Sequence, residues 1–208
     1  MLETLSIQSY LWYNNIIIMS ENASGADNQQ ERFLKGISEK LGWFLVGFTE
    51  GEGSFNLSII KRSDYAHRWQ LNLSFNISQK EGTLLGLSKE IMQCGSIRAR
   101  KDGVYAYEVR GIDDIVEKVI PFFNYFKLFS QGKRKTFEAF SEIAVMMKNG
   151  EHLTVNGLTK ILKLRKLLNP KSTRKRKYDD ECILDLLRKS SETTRRAPTF
   201  LKKKGVKI

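Results

Sequence analysis

Residues 45–54 read LVGFTEGEGS, with Gly47, Gly51 and Gly53 spaced around Glu50 and Glu52 at the end of an apolar run. Carboxylates are oxygen ligands for hard divalent cations, and metal-assisted phosphodiester cleavage needs such ligands, often for two ions about 4 Å apart. One Glu52 per chain is too few for that, whereas two copies brought together would set carboxylates side by side over adjacent phosphates. The glycines offer a way to do so. In a helix Gly47 and Gly51 lie four residues apart on one face, a small-xxx-small pattern that lets two backbones approach closely. That is a reason to tolerate the roughly 0.5–1 kcal/mol each interior glycine costs relative to alanine. Taken alone, GEG reads better as a glycine-rich helix-to-strand turn with two solvated glutamates, so the surrounding elements must decide.

Other catalytic chemistries lack their residues. His67 and His152 are isolated, which argues against histidine-dependent nuclease folds and HExxH metalloproteases. Cys94 and Cys182 form no CxxC, so there is no disulfide framework and no cysteine zinc site. The chemistry must then come from carboxylates, lysines and glutamines. Lys plus Arg number 35 against 23 Asp plus Glu, a net charge of +12, which points to a polyanionic partner, nucleic acid ahead of an anionic membrane surface.

The 208 residues fit one domain of ordinary size, with or without extensions. Residues 1–30 contain no Lys or Arg, so neither an Arg-rich transit peptide nor a basic secretory n-region is written there; a poorly ordered extension is expected. The apolar cluster Ile16 to Met19 is too short to span a membrane.

From residue 31 the pattern becomes regular. Ser38 can cap a helix in which Leu41, Phe44, Leu45 and Phe48 recur at helical spacing up to the glycines. Phe55, Leu57 and Ile59 then alternate with Asn56 and Ser58, the period of a half-buried strand. A second strand places Trp69, Leu71, Leu73, Phe75 and Ile77 on one face and Gln70, Asn72, Ser74, Asn76 and Ser78 on the other. A short helix spans 83–92, and GSIRARKDG with VYAYEVRG makes a hairpin turning at Lys101-Asp102-Gly103. A helix from about Ile112 is expected to end at Pro121. Another, marked by Phe137, Phe140, Ile143 and Met147, is expected just after SQGKRK, and two more lie over 158–168 and 178–187. The order predicts an α+β fold, αββαββα, with an antiparallel four-stranded sheet, helices on one face and C-terminal helices added.

The second sheet face is unusual. It carries Asn56, Ser58, Gln70, Asn72, Ser74, Asn76, Arg98 and Arg100, where a solvated face would carry Lys, Glu and Thr. Arg pairs bidentately with guanine, and Asn or Gln with adenine, each worth about 1–3 kcal/mol of discrimination. The run NPKSTRKRK neutralises phosphates and positions without specifying.

The combination at LVGFTEGEGS resembles the LAGLIDADG homing endonucleases, and the element order agrees over about residues 38–190. The resemblance implies that Glu52 ligates the divalent metal with the Gly51 carbonyl beside it, a Glu where many members have Asp, while Val46 replaces a more usual alanine. It also implies that Gln79 orders water around the scissile phosphate and that Lys133, with Lys135 as an alternative, assists transition-state charge. Gly47, Glu50 and Gly51 fall at the dimer interface, and Lys171, Thr173, Arg174 and Lys175 near DNA backbone. Residues 31–150 would form the endonuclease core, 151–190 a DNA-contacting helical extension and 191–208 a basic tail.

Only one such motif is present. Single-motif members act as homodimers, so the resemblance implies Mg²⁺-dependent cutting of a long pseudo-palindromic double-stranded DNA site, with Mn²⁺ able to substitute, leaving short 3′ overhangs and promoting intron mobility. Synthesis inside a chloroplast or mitochondrion and no membrane partner are expected. An RNA-binding intron maturase, or a DNA-binding module that no longer cleaves, uses the same basic surface and stays open at this stage.

Overall fold

A computed structural model of the chain describes residues 26–62, 69–168 and 178–185. Four strands, β1 (Gly53–Lys61), β2 (Trp69–Gln79), β3 (Ser96–Ala99) and β4 (Tyr105–Val109), form one sheet in the order β1-β2-β4-β3. Helix α1 spans Ala26–Lys35, α2 Glu39–Glu52 and α3 Thr83–Met92. After the hairpin come α4 (Ile112–Asp114), a π-helical segment Ile115–Val119 and α5 (Ile120–Tyr125), then α6 (Gln131–Lys148) and α7 (Val155–Leu168). The chain divides into two compact units, residues 1–54 with 74–134, and residues 55–73 with 135–208.

In the first unit β2 and β4 pair antiparallel, Phe75 opposite Val109 and Ile77 opposite Tyr107, and β4 pairs with β3. Period-2 alternation sends Phe75, Ile77, Tyr107 and Val109 inward, all fully buried. They meet α5 through Phe75 and Phe123, whose ring centroids are 5.4 Å apart, and Phe123 in turn meets Phe122 at 4.9 Å. Each such side chain contributes roughly 1.5–3 kcal/mol by leaving water. Helix α1 packs on the π-helical segment and α5. Residues 26–30, expected within the extension, are therefore already helical.

In the second unit Phe55 of β1 packs on Phe137 and Phe140 of α6 at 5.5 and 5.0 Å. A second cluster joins Ile59 and Trp69 of the strands to Leu158 and Leu162 of α7 and Ile183, which lies in a helical stretch over 180–185. The αββαββα order and the antiparallel sheet are as the pattern predicts.

Two boundaries differ from expectation. Pro121 does not end its helix. The turn before it widens, with the Ile120 N–H donating to Ile115 O, and the rod continues to Tyr125 although Pro121 has no N–H to give. Helix α6 begins at Gln131, inside SQGKRK, where Ser130 Oγ accepts the Lys133 N–H at 3.3 Å as a local cap.

Gly42, on the buried side of α2, carries a packing constraint that spacing alone did not mark: a Cβ there would run into the Phe126 ring. Gly86 in α3 has open space around it. Gly42→Ala is expected to cost about 1–3 kcal/mol through overpacking, and Gly86→Ala to add about 0.5–1 kcal/mol through helix propensity. Urea unfolding of the two variants checks both signs; equal effects would contradict the packing assignment.

Candidate functional site

Helix α2 starts at Ser38, whose Oγ accepts from the Leu41 N–H at 3.4 Å, and buries Gly42, Leu45, Val46 and Thr49. Its opposite side is bare. Gly47 and Gly51 are exposed, and a Cβ added at either meets nothing within 4 Å among the described residues. Phe44 and Phe48 stack beside them at 5.8 Å, and Leu41 and Trp43 are 39% and 42% exposed. Gly53 differs, since a Cβ there would lie 2.5 Å from Thr49 Cγ2 and 2.6 Å from Thr49 O. Packing within the chain thus explains Gly53 and leaves Gly47 and Gly51 unexplained.

The two acids of the motif point to different tasks. Glu50 folds onto the start of α6: Oε1 accepts the N–H groups of Phe129 and Ser130 at 2.7 and 2.9 Å, and Oε2 accepts the Ser130 hydroxyl at 2.6 Å. Partial burial pushes the pKa of Glu50 up, but those three hydrogen bonds and the Lys133 charge outweigh it and hold the carboxyl below its ordinary value. Within its own chain Glu50 thus holds Ser130, the cap residue of α6, in place.

Glu52 ends the helix exposed to solvent. It lines an open depression of about 430 Å³ together with Gln79 at the end of β2, Lys80 and Glu81. Gln79 Oε1 is buried there without a hydrogen-bond partner among the described residues. Lys133, in the first turn of α6, donates from Nζ to Gly53 O at 2.7 Å. Burial pushes the Lys133 pKa down, against the upward pull of Glu50 and Glu52, and the balance lies below an ordinary lysine. Glu52, Gln79 and Lys133, scattered in sequence, therefore gather around the end of α2. Lys135, two residues further along the chain, is exposed.

On the polar sheet face the residues fare unequally. In the first unit Ser74 is buried at 9% exposure, a correction to its place on an open face, and Asn76 is half-buried. Arg98 is paired with Glu108, and Arg100 with Asp102 at 2.8 Å, so neither guanidinium is wholly available. In the second unit Ser58 Oγ donates to Asn72 O at 3.4 Å, Gln70 Oε1 accepts from Arg62 at 3.4 Å, and Asn56 is half-buried. Lys171, Thr173, Arg174 and Lys175 lie outside the described residues. Glu108 escaped the sequence reading, although the alternation that turns Tyr107 and Val109 inward turns it outward.

The sequence profile described as LAGLIDADG endonuclease matches residues 45–144. A Neurospora crassa protein named "Probable intron-encoded endonuclease 2" is 33% identical over 132 residues, covering 62% of this chain and 27% of that protein, so the chain spans about a quarter of its length. An archaeal intron-encoded homing endonuclease, solved in complex with DNA, superposes with a TM-score of 0.66 at 33% identity, covering 73% of this chain and 96% of that one. I-SmaMI, solved on an uncleaved DNA target in the presence of calcium ions, gives 0.59 at 28% identity, covering 64% of this chain and 46% of that one. Among the described residues no helix is long and apolar enough to cross a membrane.

Glu50→Ala should destabilise the chain by about 1–2 kcal/mol through loss of the cap. Because the native pKa of Glu50 lies below its ordinary 4.5, its stabilisation is complete above that value and is lost as pH falls through the lower native pKa. The stability gap between parent and variant, followed by urea unfolding, should therefore narrow below about pH 4.5; a gap constant down to acid pH would contradict the charged cap.

Proposed function

We propose, from the premise that this chain belongs to the LAGLIDADG endonuclease family, that it is a homodimeric, Mg²⁺-dependent endonuclease cutting a specific site in double-stranded DNA. One observation carries the reading: the motif helix keeps a bare apolar face around Gly47 and Gly51 and delivers an exposed Glu52 to its end. A second copy on that face would bring two Glu52 carboxylates to one axis.

The donor set suits a hard divalent cation. Among the described residues no group of three or more His, Cys, Asp or Glu could hold a metal alone. Mg²⁺ does not require one, since it is commonly held by one or two carboxylates with water and substrate phosphates completing the shell. Glu52 and the Gly51 carbonyl are the residues that would hold it, and when bound it supplies charge stabilisation at the scissile phosphate and activation of water. Gln79 Oε1, which has no partner among the described residues, is suited to accept from and orient a water. Lys133 Nζ, anchored on Gly53 O, sets a positive charge where negative charge develops on the phosphate. Each protomer would read one half-site with Asn56, Ser58, Gln70, Asn72, Asn76 and Arg98, and the basic run at 171–175 would hold the backbone. The intron-encoded relatives support a role in intron mobility, and synthesis inside an organelle is part of the same proposal.

Glu52→Gln is expected to lower cleavage by at least about 100-fold, the scale of one lost transition-state electrostatic contact, while DNA binding in a gel-shift assay is retained. Loss of binding and cutting together would assign Glu52 to folding. Gly51→Leu, which places a bulky side chain on the bare face, should sediment as a monomer; a variant that remains a dimer would contradict pairing through α2.

A further inference from the structure

A surface meant for a polyanion has no evident use for a carboxylate, yet the β3–β4 face holds one at its centre. Glu108 is 9% exposed, with Oε2 taken by Arg98 Nη2 and Oε1 by Arg110 Nε at 2.7 Å. The two arginines are 53% and 59% exposed, so the acid lies beneath them. Strand register sets Asn76 on one side of Glu108 and Ser96 on the other. Arg98, Asn76 and Glu108 border an open depression of about 320 Å³ in this face.

An exposed arginine facing DNA has two kinds of partner, any phosphate or the edge of a guanine, and only the second carries sequence information. A carboxylate taken out of water is costly unless it is paired, and here both oxygens are. Its removal would favour non-specific affinity, since it cancels one of the two positive charges above it. What it provides is geometry: a guanidinium held at one nitrogen keeps its remaining N–H donors aimed in a fixed direction, so little freedom is lost when a base is met.

We infer that Glu108 is a positioning residue for base recognition, holding Arg98 over the depression so that its free N–H edge meets a guanine in the major groove, and restraining the same arginine from settling on a backbone phosphate. Arg110 completes the pairing of the acid from the other side. This rests on the DNA-reading role proposed for the sheet.

The test uses the full chain in EDTA, with binding to a randomised duplex library and affinity against salt measured for the parent, Glu108→Gln, Arg98→Ala and the double variant. Glu108→Gln and Arg98→Ala should lose preference, by roughly tenfold, at the same base pair of each half-site. Glu108→Gln should also steepen the plot of log affinity against log salt by about 0.9 for each phosphate newly contacted, and the double variant should match Arg98→Ala. Arg98→Lys, which keeps the charge and loses the fork at an exposed position, should relax the same base pair without a shallower salt slope. A Glu108→Gln profile and slope like the parent's would overturn the inference, as would a loss at a base pair that Arg98→Ala leaves untouched, which would mean that Glu108 accepts directly from a cytosine. A parent without any sequence preference would remove the DNA-reading role itself, and this inference with it.

Discussion

The grip of Glu50 on Phe129 and Ser130, immediately before α6, is the contact from which the rest of the site follows. A helix start leaves four backbone donors without internal partners, and a carboxylate is the strongest group to meet them. Ser130 Oγ meets one of them, the Lys133 N–H, at 3.3 Å, and Glu50 holds that cap residue by its N–H and hydroxyl together with the Phe129 N–H, and so fixes where Lys133 stands, with Nζ on Gly53 O. The end of the motif helix is thereby tied to a lysine 80 residues further along the chain. The two acids of TEGEG divide the work, the first turned inward to hold the scaffold and the second left exposed.

Local pattern made much of this legible. The Ser38 cap, the glycine-bounded end of α2 and the alternation through 53–61, 69–79 and 105–109 are short-range signals, and the elements formed where they indicated. What escaped depends on partners distant in sequence. Nothing near Glu50 signals that its acceptors are needed at Ser130, and nothing near Gly42 announces the Phe126 ring. Pro121 misleads for a related reason: its missing donor is a local fact, but the π-turn that accommodates it is a property of the whole rod. Alternation alone makes the polar face of the sheet uniformly open, whereas Ser74 is buried and the arginines are engaged by Glu108 and Asp102. Charge pairing across strands requires register, which periodicity does not supply.

The bare face of α2 connects this chemistry to assembly. Glycines at 47 and 51 lower helix stability, and no side chain of the described residues fills the space they leave. Phe44, Phe48, Leu41 and Trp43 around them present apolar surface to water. Both costs would disappear if a second helix of the same kind covered the face, and the same pairing would complete the proposed cation site, for which one chain supplies too few carboxylates. The symmetry of such a dimer must then be imprinted on its target.

Selection of cleaved sites from a randomised duplex library in Mg²⁺ tests this account most directly. The account predicts that the recovered sites share two half-sites related by a two-fold axis, each cut once on opposite strands near that axis. Recovery of a single asymmetric half-site, or of cleaved sequences with nothing in common, would contradict it.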